Sequence, residues 1–364
     1  MNARGLTAAR RRKGMAAVLA AVLLALGMLA APARATTPGS FTKHTHGAPG
    51  APGTRDYWLY VPATGAGTPR PLVVFLHGCI QTAEQAASAT GFNKLADQLG
   101  FVVAYPQQNV TSGSSAPAAD GNGEGCWNWF LPDDQARGAG EPAAIAGITE
   151  EVIAAQGIDP NRVYVAGASA GADMAVIMGA TYPDVFAAVS PWAGCAYASC
   201  GDNGGRLAYD GMGARARQVP MLVLQGTADT LNNFAMGQGL VDAWLATDDW
   251  VDNGVADGSV SRLPASVDNG GFDQTPQPGS GDPCVRPSNF PCPGGIIGFQ
   301  GTYPYTIEHF DNAAKCNVLD FWVVHGIEHS IPHADDSTPF TDPLGPDMTS
   351  ASYDFFQHHP MGAC

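Results

Sequence analysis

Positive charge is scarce in this chain. Lys and Arg number 18 against 33 Asp and Glu, and all charged residues together make up only 14% of 364 residues. Six of the 18 basic residues lie in the first 35 positions, which hold no acid, so the remainder carries 12 basic against 33 acidic groups, a formal −21. A surface of that sign repels nucleic acid and anionic membranes and favours neutral partners. A second long apolar run is also missing: beyond residues 15–30, nothing approaches the ~20 residues that a membrane span requires. No Cys-x-x-Cys pair exists, which removes the common zinc arrangements. Asp249, Asp252 and Asp257 do not match an EF-hand and read as a solvated acidic loop. No metal or cofactor is expected, and there is no internal repeat.

What is present begins with an export signal. Arg10, Arg11, Arg12 and Lys13 precede an uncharged apolar stretch over 15–30, and Ala33-Arg34-Ala35 supplies a small-x-small cleavage site. Residues 1–35 therefore read as a cleaved signal peptide rather than an anchor. The mature protein is expected outside the cytoplasm, extracellular or periplasmic, and monomeric. All eight cysteines follow the signal, and an even count in an exported chain reads as a disulfide framework. Cys284 and Cys292 bracket a Pro-rich loop, and Cys195 and Cys200 close a short one. Cys316 opens the last strand, and Cys364 follows the helix returning past it, so these two reach the same edge. Cys79 and Cys126 remain. Spacing alone leaves other connectivities open.

Residues 36–54, rich in Gly, Pro, Thr and His, read as a flexible leader. From residue 55, strands (57–61, 71–76, 101–105, 162–166, 186–190, 221–225, 318–324) alternate with helices (86–99, 141–156, 170–181, 233–246, 350–359). That alternation predicts an α/β domain over 55–364, with a mostly parallel sheet flanked by helices. Irregular insertions fall near 110–140 and 248–314, the second with room for hairpins. Both carry cysteines that would brace them.

The chemistry centres on Gly167-Ala168-Ser169-Ala170-Gly171. This Gly-x-Ser-x-Gly pattern follows a buried strand and opens a helix, the context of a nucleophile elbow in an α/β-hydrolase fold. A serine nucleophile needs a base, and the base needs an orienting acid, here in the order Ser, acid, His after later strands. Asp229, just past the 221–225 strand, and His329, just past the last strand, fit those places. His325 and His333 are rival bases; Asp242, Asp248 and Asp249 are rival acids. The oxyanion requires two backbone N–H donors, expected from Ala170 and from Cys79 on the loop after His77-Gly78. A Cys79 disulfide would stiffen that donor. Aromatic candidates for a substrate groove are Trp127, Trp129, Tyr182, Trp192, Trp244 and Trp250. The Trp127/Trp129 pair leads, because i, i+2 spacing places both rings on one side of an extended loop. His77 is a further candidate at the substrate site, read either as a core or loop-bracing histidine or as a support for the oxyanion loop.

Several motifs in order carry a resemblance: Leu76 through Thr82, Cys126-Trp127-Asn128-Trp129, Arg137 through Pro142, Arg162 through Gly171, Thr181 through Val189, Gly226-Thr227-Ala228-Asp229, and His325 through Ser330. Together they make the chain similar to the esterase/polyhydroxybutyrate depolymerase family of α/β-hydrolases. The resemblance implies a catalytic serine, acid and histidine at Ser169, Asp229 and His329, and an oxyanion region at 77–79. It also implies hydrolysis of an ester in a polymeric or bulky neutral substrate, in the manner of polyhydroxyalkanoate depolymerases. Family alternatives are cleavage of β-diketones in oxidised polyvinyl alcohol and feruloyl or acetylxylan ester hydrolysis. A polymer-binding module on an inactive hydrolase scaffold is the non-enzymatic alternative, disfavoured by the complete Ser/Asp/His set.

Overall fold

A computed structural model describes residues 39–47, 53–65, 67–111, 121–271, 303–333 and 338–363. Seven strands follow the order expected from sequence: β2 (Arg55–Val61), β3 (Arg70–Leu76), β4 (Val102–Pro106), β5 (Ile158–Ala168), β6 (Ala188–Trp192), β7 (Met221–Gly226) and β10 (Asn317–Val324). Three more extend the edges: β1 (Ser40–His46), β8 (Ser266–Gly270) and β9 (Tyr305–Asp311). The ten form one sheet in the order β1-β2-β4-β3-β5-β6-β7-β10-β9-β8. Pairing is parallel from β4 to β10 and antiparallel at both ends. This is the α/β-hydrolase arrangement.

The apolar run of β3 is buried at every position, because both faces of the sheet are covered. Leu72, Val74 and Leu76 point into a core with helices α3 (Gly140–Gln156), α4 (Ala170–Thr181) and α6 (Phe234–Asn253). Val73 and Phe75 point into the opposite core with α1 (Ala83–Thr90), α2 (Phe92–Leu99) and α7 (Met348–His358). A further short helix, α5 (Arg206–Met212), packs beside α6. Among the described residues, no helix is long and apolar enough to cross a membrane.

Three expectations change. The helix expected over 86–99 is two helices, α1 and α2. Gly91 sits between them at φ 71°, a left-handed conformation that ends a helix at little cost for glycine. The supposed leader contains β1, which pairs with β2 over seven residues, Ser40↔Val61 to His46↔Arg55. Its side chains are mostly exposed, so it shows no apolar period. Cross-strand contacts hold it instead: Lys43 lies 2.7 Å from Asp56, and His44 stacks on Tyr57. The acidic stretch from residue 248 begins inside α6, and Asp249 accepts bonds from the Gly258 and Val260 amides and the Ser259 hydroxyl. These bonds close the loop on itself. The hairpins expected in that insertion are present as β8-β9-β10.

Cys79–Cys126 and Cys195–Cys200 are disulfides. Cys316 is also disulfide-bonded, while its expected partner Cys364, the pair Cys284 and Cys292, and the signal over 1–35 lie outside the described residues.

Candidate active site

The carboxyl ends of the central strands deliver the site residues. Ser169 occupies the turn between β5 and α4 at φ 56°, ψ −126°, backbone that costs a non-glycine residue strain. The flanking glycines make the turn possible. A Cβ on Gly167 would lie 2.2 Å from the Gly171 carbonyl oxygen, and one on Gly171 would lie 2.1 Å from the Leu76 oxygen. The Ser169 amide donates to the Trp192 carbonyl at 3.0 Å, tying the turn to β6.

Asp229 and His329 sit on loops after β7 and β10. The His329 Nδ1–H donates to Asp229 Oδ2 at 2.7 Å. The other carboxylate oxygen accepts the Leu231 and Asn232 amides, both at 2.9 Å. The Asp229 side chain is fully buried, and that of His329 is 12% exposed. The bond to Asp229 sets the imidazole tautomer and leaves Nε2 as the free nitrogen. The two loops are laced by Thr227 N–H to Val324 O, Ala228 N–H to Ile327 O, and Gly326 N–H to Thr227 Oγ1. Gly226 permits this, since a Cβ there would stand 2.4 Å from the Ile327 oxygen.

Ser169 and His329 line one cavity of about 220 Å³. Cys79 lines it too, from the loop after β3. That loop passes close to the serine: a Cβ on Gly78 would be 3.4 Å from Ser169 Cβ. Among the described residues, neither the Cys79 nor the Ala170 amide is engaged in a backbone hydrogen bond. The rival residues lie elsewhere. His325 bonds Thr306, His333 is exposed, and Asp242 faces solvent. Asp248 is buried near Arg217, and burial holds its carboxyl well above the usual range.

Three of the substrate-groove candidates, Trp127, Trp129 and His77, fall away from the cavity. Trp127 is fully buried, and its indole N–H donates to the His77 carbonyl at 3.1 Å. An indole donor in a core needs such an acceptor, and this pulls the ring inward. Trp129 is half-buried against the core and meets Phe130 edge-on, so the pair does not present a common face. His77 is fully buried; burial pushes its pKa down to about 4 and keeps the ring neutral. Its Nδ1–H donates to Gly78 O at 2.8 Å, and its Nε2 accepts the Gln108 amide at 3.0 Å, so it braces the loop from behind. Of the other aromatics, only Trp192 reaches the cavity.

Residues that sequence reasoning passed over line the mouth: Ile80, Leu231 and Phe340, which are 57%, 63% and 41% exposed. Phe340 meets the His329 ring edge-on. Gln81 links the two sides, since its side chain accepts the Gly78 amide and donates to the Pro339 carbonyl. The only available signal was adjacency: Ile80 and Gln81 follow Cys79, and Leu231 follows Asp229.

The family model described as Esterase PHB depolymerase matches residues 55–275. Poly(3-hydroxyalkanoate) depolymerase C of Paucimonas lemoignei is 46% identical over 146 residues, 40% of this chain and 33% of the relative. Feruloyl esterase B of Neurospora crassa is 37% identical over 142 residues, 39% of this chain and 44% of the relative. A probable acetylxylan esterase A of Neosartorya fischeri is 34% identical over 168 residues, 45% and 42% respectively. The matched stretch thus spans less than half the length of each of these curated relatives. The structure of an acetyl xylan esterase from Aspergillus awamori superposes with a TM-score of 0.58 at 21% identity, covering 88% of this chain and 99% of that one, and shares the fold.

Proposed function

Because the chain belongs to the esterase/PHB depolymerase family, we propose that it is a secreted serine hydrolase cleaving ester bonds in a polymeric or bulky neutral substrate, most nearly a polyhydroxyalkanoate. The observation that carries the reading is the 2.7 Å Asp229–His329 bond, with His329 opening on the same cavity as Ser169. His329 Nε2 takes the Ser169 proton as the hydroxyl attacks the ester carbonyl. Asp229 holds the tautomer and stabilises the imidazolium that forms. The Ala170 and Cys79 amides receive the oxyanion. His329 then returns the proton to the leaving alkoxide, and water releases the acyl group by the reverse path. Catalytic Ser–His contacts commonly tighten only with substrate bound.

The apolar mouth favours a polyester over a sugar ester. Ile80, Leu231 and Phe340 offer contact area to methylene-rich chain and few hydrogen bonds to sugar hydroxyls. Export is supported by the disulfide bonding of Cys79, Cys126, Cys195, Cys200 and Cys316, since such bonds persist in oxidising compartments.

The test is Ser169→Ala together with labelling by a serine-directed phosphonate. Activity should vanish with the fold intact, and the label should map to Ser169. Labelling elsewhere, or none, rejects the mechanism. A substrate panel of polyhydroxybutyrate film, oxidised polyvinyl alcohol, feruloyl esters and acetylated xylan then decides the bond and polymer. Turnover confined to acetylated xylan would remove the polyester assignment while leaving the serine mechanism in place.

A further inference from the structure

Two sequence motifs, Cys126 through Trp129 and Arg137 through Pro142, place no side chain at the catalytic atoms, yet both converge on the loop that carries Cys79. Three links join that loop to the 124–127 segment. The Ile80 amide donates to Glu124 O at 2.8 Å, Cys79 is bonded to Cys126, and the Trp127 indole N–H donates to His77 O. A fourth link runs through Gln108, whose backbone N–H donates to His77 Nε2 and whose side-chain amide donates to Cys126 O at 2.8 Å. The position of the Cys79 amide is therefore set largely by the position of the 124–127 segment.

Asn128, which follows that segment, is held by one carboxylate and by bonds to Asn122 and Gly121. Glu141 stands in the first turn of the seventeen-residue helix α3 and is 1% exposed. Its Oε2 accepts the Asn128 backbone amide at 2.7 Å, while Oε1 accepts the Asn128 side-chain amide at 3.0 Å and that of Gln108. The Arg55 guanidinium lies 3.7 Å away. Both oxygens are satisfied, and every donor belongs to or flanks the clamp around the oxyanion loop. A buried carboxylate is costly to desolvate, and an apolar core of the same volume serves stability as well or better. What the apolar alternative lacks is direction: three N–H donors converging on two oxygens hold their backbone in one place.

We infer that Glu141 is a positioning residue for the oxyanion donor Cys79, acting through Asn128, Gln108 and the Cys126 disulfide. This rests on the serine-hydrolase reading above. Displacing a reacting group by an ångström or less costs up to ~100-fold in rate, and losing a donor outright costs ~100- to 1000-fold. A loosened Cys79 amide should therefore lower kcat with little change in KM.

The experiment compares the full chain with Glu141→Gln, Gln108→Met, Asp248→Asn and Ser169→Ala on a soluble short-chain p-nitrophenyl ester. Rates are expressed per active serine titrated by phosphonate, and the affinity for a trifluoromethyl ketone, whose tetrahedral adduct places an oxyanion in the same position, is measured alongside. Glu141→Gln and Gln108→Met should lose about tenfold in kcat, keep KM within about twofold, and lose ketone affinity in parallel with kcat. Asp248→Asn, which alters a buried carboxylate remote from the clamp, should keep parental kcat and ketone affinity. Unchanged kcat per active serine in both clamp variants, a change confined to KM, or an equal loss in Asp248→Asn overturns the inference. If Glu141→Gln does not fold, Gln108→Met decides alone by the same criteria. An inert parent, or an active Ser169→Ala, removes the serine-hydrolase reading itself and this inference with it, an outcome separate from the others.

Discussion

The half of the site built on β3, β5 and the 124–128 segment is held by a disulfide, the buried Glu141 carboxylate and side-chain hydrogen bonds, whereas the loops after β7 and β10 are joined by three hydrogen bonds and by the bond between His329 and the buried Asp229 carboxylate. The first half must hold backbone donors where charge develops, and small displacements there are expensive. The second half carries a histidine whose single bond to Asp229 already fixes its tautomer, so loop backbone suffices. On the proposed mechanism, the cross-linked half is the one whose electrostatic stabilisation depends on position.

The largest expected effect falls on the lightly held half. Asp229→Asn should lower kcat about 10⁴-fold, because an amide favours the wrong imidazole tautomer, while the melting temperature moves little; steady-state kinetics beside a thermal melt checks both. An effect below tenfold would mean that the Asp229–His329 bond does not govern the reaction. Next comes the cross-link of the other half. Cys79→Ser with Cys126→Ser opens a loop of 47 residues and should cost about 4 kcal/mol of stability by the chain-entropy account. It should also lower kcat, while the acidic limb of the pH–rate profile stays in place. A shift in that limb would show that the two halves are not independent.

A smaller effect is expected at the mouth. Leu231→Ser keeps the amide that caps Asp229 but removes an exposed apolar side chain. Hydrolysis of polyester film should fall roughly tenfold relative to a soluble ester, the equivalent of one buried leucine contact. Equal losses on both substrates would move Leu231 from substrate contact to loop support. The smallest effect lies in pH. Burial pushes the Asp173 carboxyl, on α4 one turn after Ser169, up to about 8. Between its ordinary 3.8 and 8, the folded chain keeps a proton that the unfolded chain releases, so stability falls as pH rises through that window. His77 works the other way between about 4 and 6.5, where only the unfolded chain takes up a proton. The decline should therefore be clearest from pH 6.5 to 8, and Asp173→Asn should lessen it in thermal melts, with buried Asp248 supplying a remainder of the same sign. The part of the slope that Asp173 carries belongs to the half that holds Ser169.

Much of the site was legible before the fold was known. Ser169, Asp229 and His329 each follow a strand whose apolar run is unmistakable, and the chemistry requires them in that chain order. Strand and helix order was legible for the same reason: β3 and β7 are buried throughout and carry unbroken apolar runs, 71–76 and 221–224, because both faces are covered. β1 escaped notice because it contributes backbone pairing and surface contacts, which leave no period in the residues. Trp127 turns to the core side of its loop, and His77 takes the loop-bracing one of its two readings. Spacing shows that two residues share a side without showing whether that side meets solvent or core.

The linear order of residues by itself determined the α/β architecture, the elbow at Ser169 and the loops that bear Asp229 and His329, because apolar periodicity, glycines at close approaches and chain order are local properties. Only the tertiary structure decided that Trp127 and His77 bond to the loop that carries Cys79, that Ile80, Leu231 and Phe340 line the mouth of the cavity, and that Glu141 accepts bonds from Asn128 and Gln108. The reason is that hydrogen-bond partners such as Trp127 and His77, fifty positions apart, meet only when the sheet and its helices are packed, and packing decides which face of a loop is left to water.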